Sequence, residues 1–115
     1  MKLAIIGSRT FDNYELLAQF IKDNYDLTAI THIISGGAKG ADSLGERFAN
    51  ENDIETIVFK AEWELYGKSA GILRNINIIS NCDKCVAFWD GESHGTKHAI
   101  ELCKKYNKEC KIYHF

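Results

Sequence analysis

Residues 35–42 read Ser35-Gly36-Gly37-Ala38-Lys39-Gly40-Ala41-Asp42, and what this stretch joins decides the fold. A strand-like run, Thr31-His32-Ile33-Ile34, precedes it, and Leu44, Phe48 and Ala49 follow at helical spacing. A glycine turn between a strand and a helix is a phosphate-cradling position. The first helical amides lack intrahelical partners and carry the positive end of the helix dipole. Gly36, Gly37 and Gly40 can adopt backbone angles closed to other residues and let a ligand approach the main chain. Ala38 lies between them and Lys39 adds a mobile positive charge. Three glycines alone serve a ligand-free connection equally well, so the other strand ends have to decide.

Working outward, residues 2–6 form a short apolar run ending in Gly7-Ser8-Arg9, as a parallel strand buried on both faces would. Asp12 and Glu15 have capping-box spacing, and Tyr14, Leu17, Ala18 and Ile21 share one face, which predicts a helix over about 13–25. Ser43 and Glu46 offer the same spacing for the second helix. Residues 54–59 read as a third strand, and residues 60–68, with Trp63 and Tyr66, as an irregular loop. Ile72, Leu73, Ile76 and Ile79 mark a third helix carrying Arg74 and Asn75 near its start. Residues 84–89 make a fourth strand that stops at Asp90-Gly91-Glu92-Ser93-His94-Gly95-Thr96. A fourth helix buries Ala99, Ile100, Cys103 and Tyr106, and residues 110–115 close the chain as a fifth strand.

Strands alternating with helices in this way specify an α/β, Rossmann-like three-layer sandwich: a five-stranded parallel sheet with helices on both faces, in one domain spanning residues 1–115. Ligands of such sheets bind outside the carboxyl ends of the strands, where strand order reverses. Three polar, glycine-bearing turns fall on that rim, after strands one, two and four. Their shared location favours a phosphate-bearing ligand over a bare scaffold.

Composition sets the remaining bounds. The chain has 115 residues, 45% hydrophobic and 26% charged, enough to bury roughly two-thirds of its unfolded surface without a metal or disulfide. No run of apolar residues reaches the roughly 18 of a membrane span, nor the core of a signal peptide, so a cytoplasmic location and no membrane partner are expected. The formal net charge of −2 disfavours nucleic acid, whose sequence-independent binding rests on many Lys and Arg contacts to phosphates. Of Cys82, Cys85, Cys103 and Cys110, only the first two have metal-like spacing, and no matching second pair completes a zinc ribbon. All four are read as structural, reduced thiols, with no metal and no cofactor.

The dinucleotide fingerprint is missing after strand one, and Gly37-Ala38-Lys39-Gly40-Ala41-Asp42 lacks the Gly-Lys-Ser/Thr ending of a Walker loop. Taken together, Gly7-Ser8-Arg9, Ser35 to Asp42 and Gly95-Thr96 resemble the SLOG superfamily of Rossmann-like nucleotide-ligand domains. Trp63, Gly67, Ala70-Gly71, Arg74-Asn75 and Phe88-Trp89-Asp90-Gly91 resemble its small, stand-alone YspA-like branch. The resemblance covers nearly the whole chain and implies a nucleotide or nucleotide-derived ligand, with pairing into a homodimer through the exposed face of the third or fourth helix.

Two further relatives imply different activities. Cytokinin-activating phosphoribohydrolases carry an arginine before strand four and a Gly-Gly-x-Gly-Thr-x-x-Glu turn. Arg74, Gly95 and Thr96 match, but Ala99 stands where the glutamate would be. For that reaction Asp42, Glu46, Asp90 or Glu92 would have to supply the carboxylate that stabilises charge on the ribose or activates water. The DNA-processing protein A family has a similar Gly-Ser-Arg and Ser-Gly-x-Ala-x-Gly-x-Asp and binds single-stranded DNA.

Single residues leave alternatives open. Arg9 and Arg74 clamp phosphate or form surface ion pairs. Trp63 stacks on a base or covers the sheet edge. Asp42 meets ribose hydroxyls or caps the second helix, and Ser93 and Thr96 cap the last helix or donate to phosphate. His94 and His98 are read as a solvated helix start. The expected ligand rim is therefore Gly7, Ser8, Arg9, Gly36 to Gly40, Asp42, Trp63, Arg74, Asn75, Asp90, Gly91, Ser93, Gly95 and Thr96. It binds or senses a nucleotide-type ligand; the alternative is hydrolysis of an N-glycosidic or phosphate bond, with Arg74, Asp90, Glu92 and Glu46 as catalytic candidates.

Overall fold

A computed structural model describes residues 1–115. The strands are β1 (Lys2–Gly7), β2 (His32–Ser35), β3 (Glu55–Val58), β4 (Lys84–Trp89) and β5 (Glu109–His114). They form one parallel sheet in the order β3-β2-β1-β4-β5. Strand order reverses between β1 and β4, so the turns leaving these two strands face each other across the switch point. The helices are α1 (Tyr14–Asn24), α2 (Ala41–Glu51), α3 (Trp63–Tyr66), α4 (Ala70–Asn81) and α5 (His94–Lys105). None is long and apolar enough to cross a membrane.

Alternation along the central strands builds two cores. Leu3, Ile5, Val86 and Phe88 face α1 and α2, meeting Leu17, Ile21, Phe48 and Ala49. Ala4, Ile6, Cys85 and Ala87 face α4 and α5, meeting Ile78, Ile79, Ile100 and Cys103. With both faces covered, β1 and β4 are buried along almost their whole length, which is why they read as unbroken apolar runs. The expected three-layer sandwich is the observed one.

Local details differ from the sequence reading. Asn13, not Asp12, caps α1, its side chain accepting from the Leu16 amide at 3.1 Å. The second helix begins at Ala41, inside the glycine stretch, so Ser43 is no cap; its hydroxyl donates to the Ala38 carbonyl at 2.8 Å. Residues 60–68 contain α3 and a 3₁₀ turn over Gly67–Ser69 rather than an irregular loop. Ile72 and Leu73 are exposed, and so is Tyr106; the buried face of α4 is Ala70, Asn75, Ile78 and Ile79. Ile72 and Leu73 lie off the face that carries Ala70, Asn75, Ile78 and Ile79, and Ile72 lines the cleft instead.

Two glycines are required by the approach of one turn to another. A Cβ on Gly7 would overlap the Phe88 carbonyl oxygen and lie 2.7 Å from the Ala41 Cβ. Gly40 has φ +80°, and a Cβ there would run into the backbone carbonyls of Ser8 and Arg9. Gly40→Ala should therefore cost about 3 kcal/mol or more, strain and overlap adding. Gly95, with open space around its Cα, should accept alanine with no loss and a gain of up to about 1 kcal/mol. Urea unfolding midpoints of the two variants measure the contrast.

Candidate functional site

Ser8 joins the three turns. Its amide donates to the Phe88 carbonyl at 2.9 Å, its carbonyl accepts from the Phe11 amide at 3.2 Å and the Ala41 amide at 3.4 Å, and its hydroxyl accepts from the Asp90 amide at 3.2 Å. The residue is 1% exposed. This side chain, expected at the ligand rim, holds the β1 and β4 turns together, and the residue also lines the cleft between them.

The glycine stretch is likewise occupied with itself. The Gly37 amide donates to Ser35 Oγ at 3.1 Å and the Ala38 amide to the Asp42 carboxylate at 3.3 Å, while Ala41 points at Ser8. Asp42 caps the preceding loop rather than the helix. A phosphate cradled wholly by these amides, as in a Walker loop, would have to displace bonds that hold the turn. The last helix is different: Ser93 caps α5 through the Thr96 amide, and the His94 and Gly95 amides have no partner within the chain. Both residues line the cleft.

That cleft, about 550 Å³, lies over the switch point. Gly7, Ser8 and Arg9 form one wall, and Asp90, Ser93, Gly95 and Thr96 another. Arg74 and Asn75 enter from α4, with Ala38, Asp42 and Trp63 completing the expected set. A neighbouring lobe of about 390 Å³ lies over the β2 and β3 turns and includes Gly36, Gly37 and Lys39. Arg9, Ala38, Trp63 and Arg74 border both lobes, so they form the waist of one groove. Gly40, Gly91, Glu92 and Glu46 line neither lobe. Glu46 instead accepts from Ser35 Oγ at 2.9 Å beneath the turn.

Sequence reasoning missed Thr10, Lys60, Lys68, Gly71, Ile72 and His98, which also line the groove. His98 is half-buried, its Nδ1 lying 3.2 Å from Asn75 Nδ2, so only His94 is a solvated helix-start histidine. Asn75, 7% exposed, donates to the Gly95 carbonyl at 3.1 Å and fixes α4 to the start of α5. Trp63 is 52% exposed and covers no sheet edge.

Charge is unevenly distributed. The smaller lobe collects Arg9, Lys39, Lys60 and Arg74 and has no carboxylate in its lining. Neither arginine is ion-paired. Arg74 donates to the Gly36 carbonyl at 3.1 Å, and its Nε has no partner. In the larger lobe the carboxylates are Asp42 and Asp90. Asp90 accepts from the Glu92 and Ser93 amides at 2.9 and 2.8 Å, which hold its carboxyl below the ordinary range. Burial pushes Asp42 up to about 6, against the opposing pull of the Ala38 amide and of Arg74.

The fold and groove define a Rossmann-like α/β domain with its cleft at a topological switch point. The model of the YspA, cpYpsA-related SLOG family matches residues 1–66, and the chain belongs to that family. It is 37% identical over 79 residues to the gene 61 protein of Mycobacterium phage D29, a match covering 64% of this chain and 63% of that protein. DNA processing protein A from Helicobacter pylori, described for its single-stranded DNA binding mode, shares the fold at TM-score 0.72 and 22% identity. The likeness covers 97% of this chain and 64% of that one. This chain thus spans less than two thirds of either relative.

The structural likeness corrects one expectation. Nucleic acid was disfavoured by the net charge of −2, yet a protein of this fold binds single-stranded DNA. A chain's total charge does not describe its groove, and here the cations of the smaller lobe are gathered in one place.

Asp42 makes stability depend on pH. Its folded value of about 6 lies above the unfolded 3.8, so between these values the folded state holds a proton that the unfolded chain has released. Stability from this group is greatest below about pH 4 and falls as pH rises through 6. Asp42→Asn, which cannot ionise, should gain on the wild type by up to about 3 kcal/mol between pH 4 and 7. Urea midpoints across that range test this; a difference independent of pH would refute it.

Proposed function

We propose that this chain binds a nucleotide or nucleotide-derived ligand in the groove, with its phosphate groups at the waist between Arg9 and Arg74 and its base beside Trp63. One observation carries the reading: two guanidiniums stand at the junction of the lobes with no carboxylate paired to either. Arg9 and Arg74 repel each other, and Asp42 draws on Arg74 without forming a contact ion pair, so an anion between the guanidiniums relieves that cost while gaining charge-assisted hydrogen bonds. The unpartnered amides at the start of α5 add a second anion-favouring locus. Membership of the SLOG family supports the same class of ligand.

The carboxylates favour binding over turnover. Asp90 is engaged by two backbone amides and Asp42 by one, Glu46 and Glu92 stand outside the lining, and Ala99 occupies the position of the phosphoribohydrolase glutamate. An acid or base needs reach to the proton it moves and a freely exchanging charge. Hydrolysis would have to recruit one of these tied groups.

A second reading has its own support. The groove is open, every charged residue lining its smaller lobe is a cation, and Trp63 offers an exposed ring beside them. These are the parts of a single-strand platform, a basic track with a stacking aromatic. The fold it shares with DNA processing protein A fits this reading.

A thermal-shift screen of nucleoside mono-, di- and triphosphates, dinucleotides and an oligothymidylate, with chromatography of each stabilising compound, separates the readings. A nucleotide recovered intact supports binding, and one recovered as base and sugar phosphate supports hydrolysis. Preference for the oligothymidylate, with affinity falling steeply as salt rises, supports the single-strand platform. Arg9 is exposed and makes no internal bond, so Arg9→Ala should leave the unliganded melting temperature unchanged and weaken the stabilising ligand about 10- to 100-fold. Unaltered affinity in Arg9→Ala and Arg74→Ala would place the ligand elsewhere.

A further inference from the structure

Away from the groove, the sheet gathers sulfur. The parallel register of β4 and β5 sets Cys85 opposite Cys110, and Cys103 comes down on the same face from α5. The three Sγ atoms lie within 4.8 Å of one another. We propose that Cys85, Cys103 and Cys110 form a three-thiolate site for a soft metal ion of the cuprous kind.

The geometry fits such an ion. Three metal–sulfur bonds of about 2.3 Å in a trigonal plane need sulfurs about 4 Å apart, so small side-chain rotations complete the set. All three donors are thiols, a set that selects soft ions over magnesium, calcium or manganese. The sulfurs come from three elements whose relative placement is fixed before any ion arrives. Between Cys103 and Cys110 the chain turns through Asn107 at φ +55°, and the Lys108 amide closes the turn on the Cys103 carbonyl at 2.8 Å. Cys85 and Cys103 are buried, whereas Cys110 on the edge strand is half-exposed and offers a path from solvent. Binding would replace the thiol protons by metal–sulfur bonds and release them to water.

Cys82 supplies an internal control. It has the metal-like sequence spacing to Cys85, but its thiol donates to the Ile79 carbonyl at 3.4 Å, and it is not one of the three clustered sulfurs. The chain spacing misleads because the ligands are brought together by strand register rather than by a loop.

The test uses the full, reduced chain titrated with Cu(I) against a chromophoric chelator, with native mass spectrometry for stoichiometry and X-ray absorption for the donor count. The proposal expects one ion per chain and three sulfurs at about 2.3 Å. Cys110→Ser, at the half-exposed position and checked by its melting curve, should lose at least 100-fold in affinity, and Cys82→Ser should stay within about threefold of wild type. No stoichiometric binding, fewer than three sulfurs on the wild type, or equal losses in the two variants would overturn it. The donor count needs no variant, so a poorly folded Cys110→Ser protein leaves the test decisive.

Discussion

The groove depends on Ser8. Three strands end at one rim, and left alone their turns would present loose main-chain donors and acceptors to water. Ser8 draws them together with an amide to Phe88, a carbonyl shared by Phe11 and Ala41, and a hydroxyl accepting from Asp90. Such a junction needs close backbone approach, and Gly7 and Gly40 supply it because no Cβ fits at either position. The glycines of the rim therefore act first on the protein. Gly7 thereby both permits the junction and lines the cleft, whereas Gly40 serves the junction alone.

Once the turns are joined, much of the polar main chain is satisfied internally, and what remains unsatisfied is cationic. Arg74 is held in place by the Gly36 carbonyl, and Arg9 lies across the waist from it. Asp42 is too buried to be an inexpensive counter-ion: water that would stabilise its charge is excluded, and its carboxyl rises toward 6. The site is thus built so that its own acid is a weak competitor for its own arginines. An exposed aspartate at that position would pair with Arg74 and close the waist, whereas a buried one tied to the Ala38 amide leaves room for an anion from outside.

How much of this could be read in the sequence follows the range of the interactions. The alternation of strand and helix was legible because β1 and β4 are buried on both faces and so carry unbroken apolar runs. That Arg9, Ser93 and Thr96 line the groove was legible because the turns and helix starts at the strand ends share one rim, and Arg74 reaches the same groove from the start of α4. The helix start at Ala41 was not, since its boundary is set by contact with Ser8, 33 positions earlier in the sequence. Ile72 and Leu73 keep helical spacing yet stay exposed, because the face of α4 that packs inward is the one carrying Ala70, Asn75, Ile78 and Ile79. Lys60, Lys68 and His98 carry no local pattern at all; the packing of α3 and α5 around the groove brings them in.

The two ends of β4 illustrate the same rule from opposite sides. At its carboxyl end, Asp90 belongs to a turn whose polar residues announce a site, and the turn largely satisfies that carboxylate itself. Near its amino end, Cys85 sits in an apolar run that announces only a strand, yet it joins two sulfurs from elsewhere in the chain. Parallel register is the physical reason. It aligns residues that are distant in sequence, Cys85 with Cys110 here, and aims their side chains to one face of the sheet, where a covering helix can add a third group. Chemistry assembled in that way has no motif, because the spacing it requires is measured across strands and not along the chain.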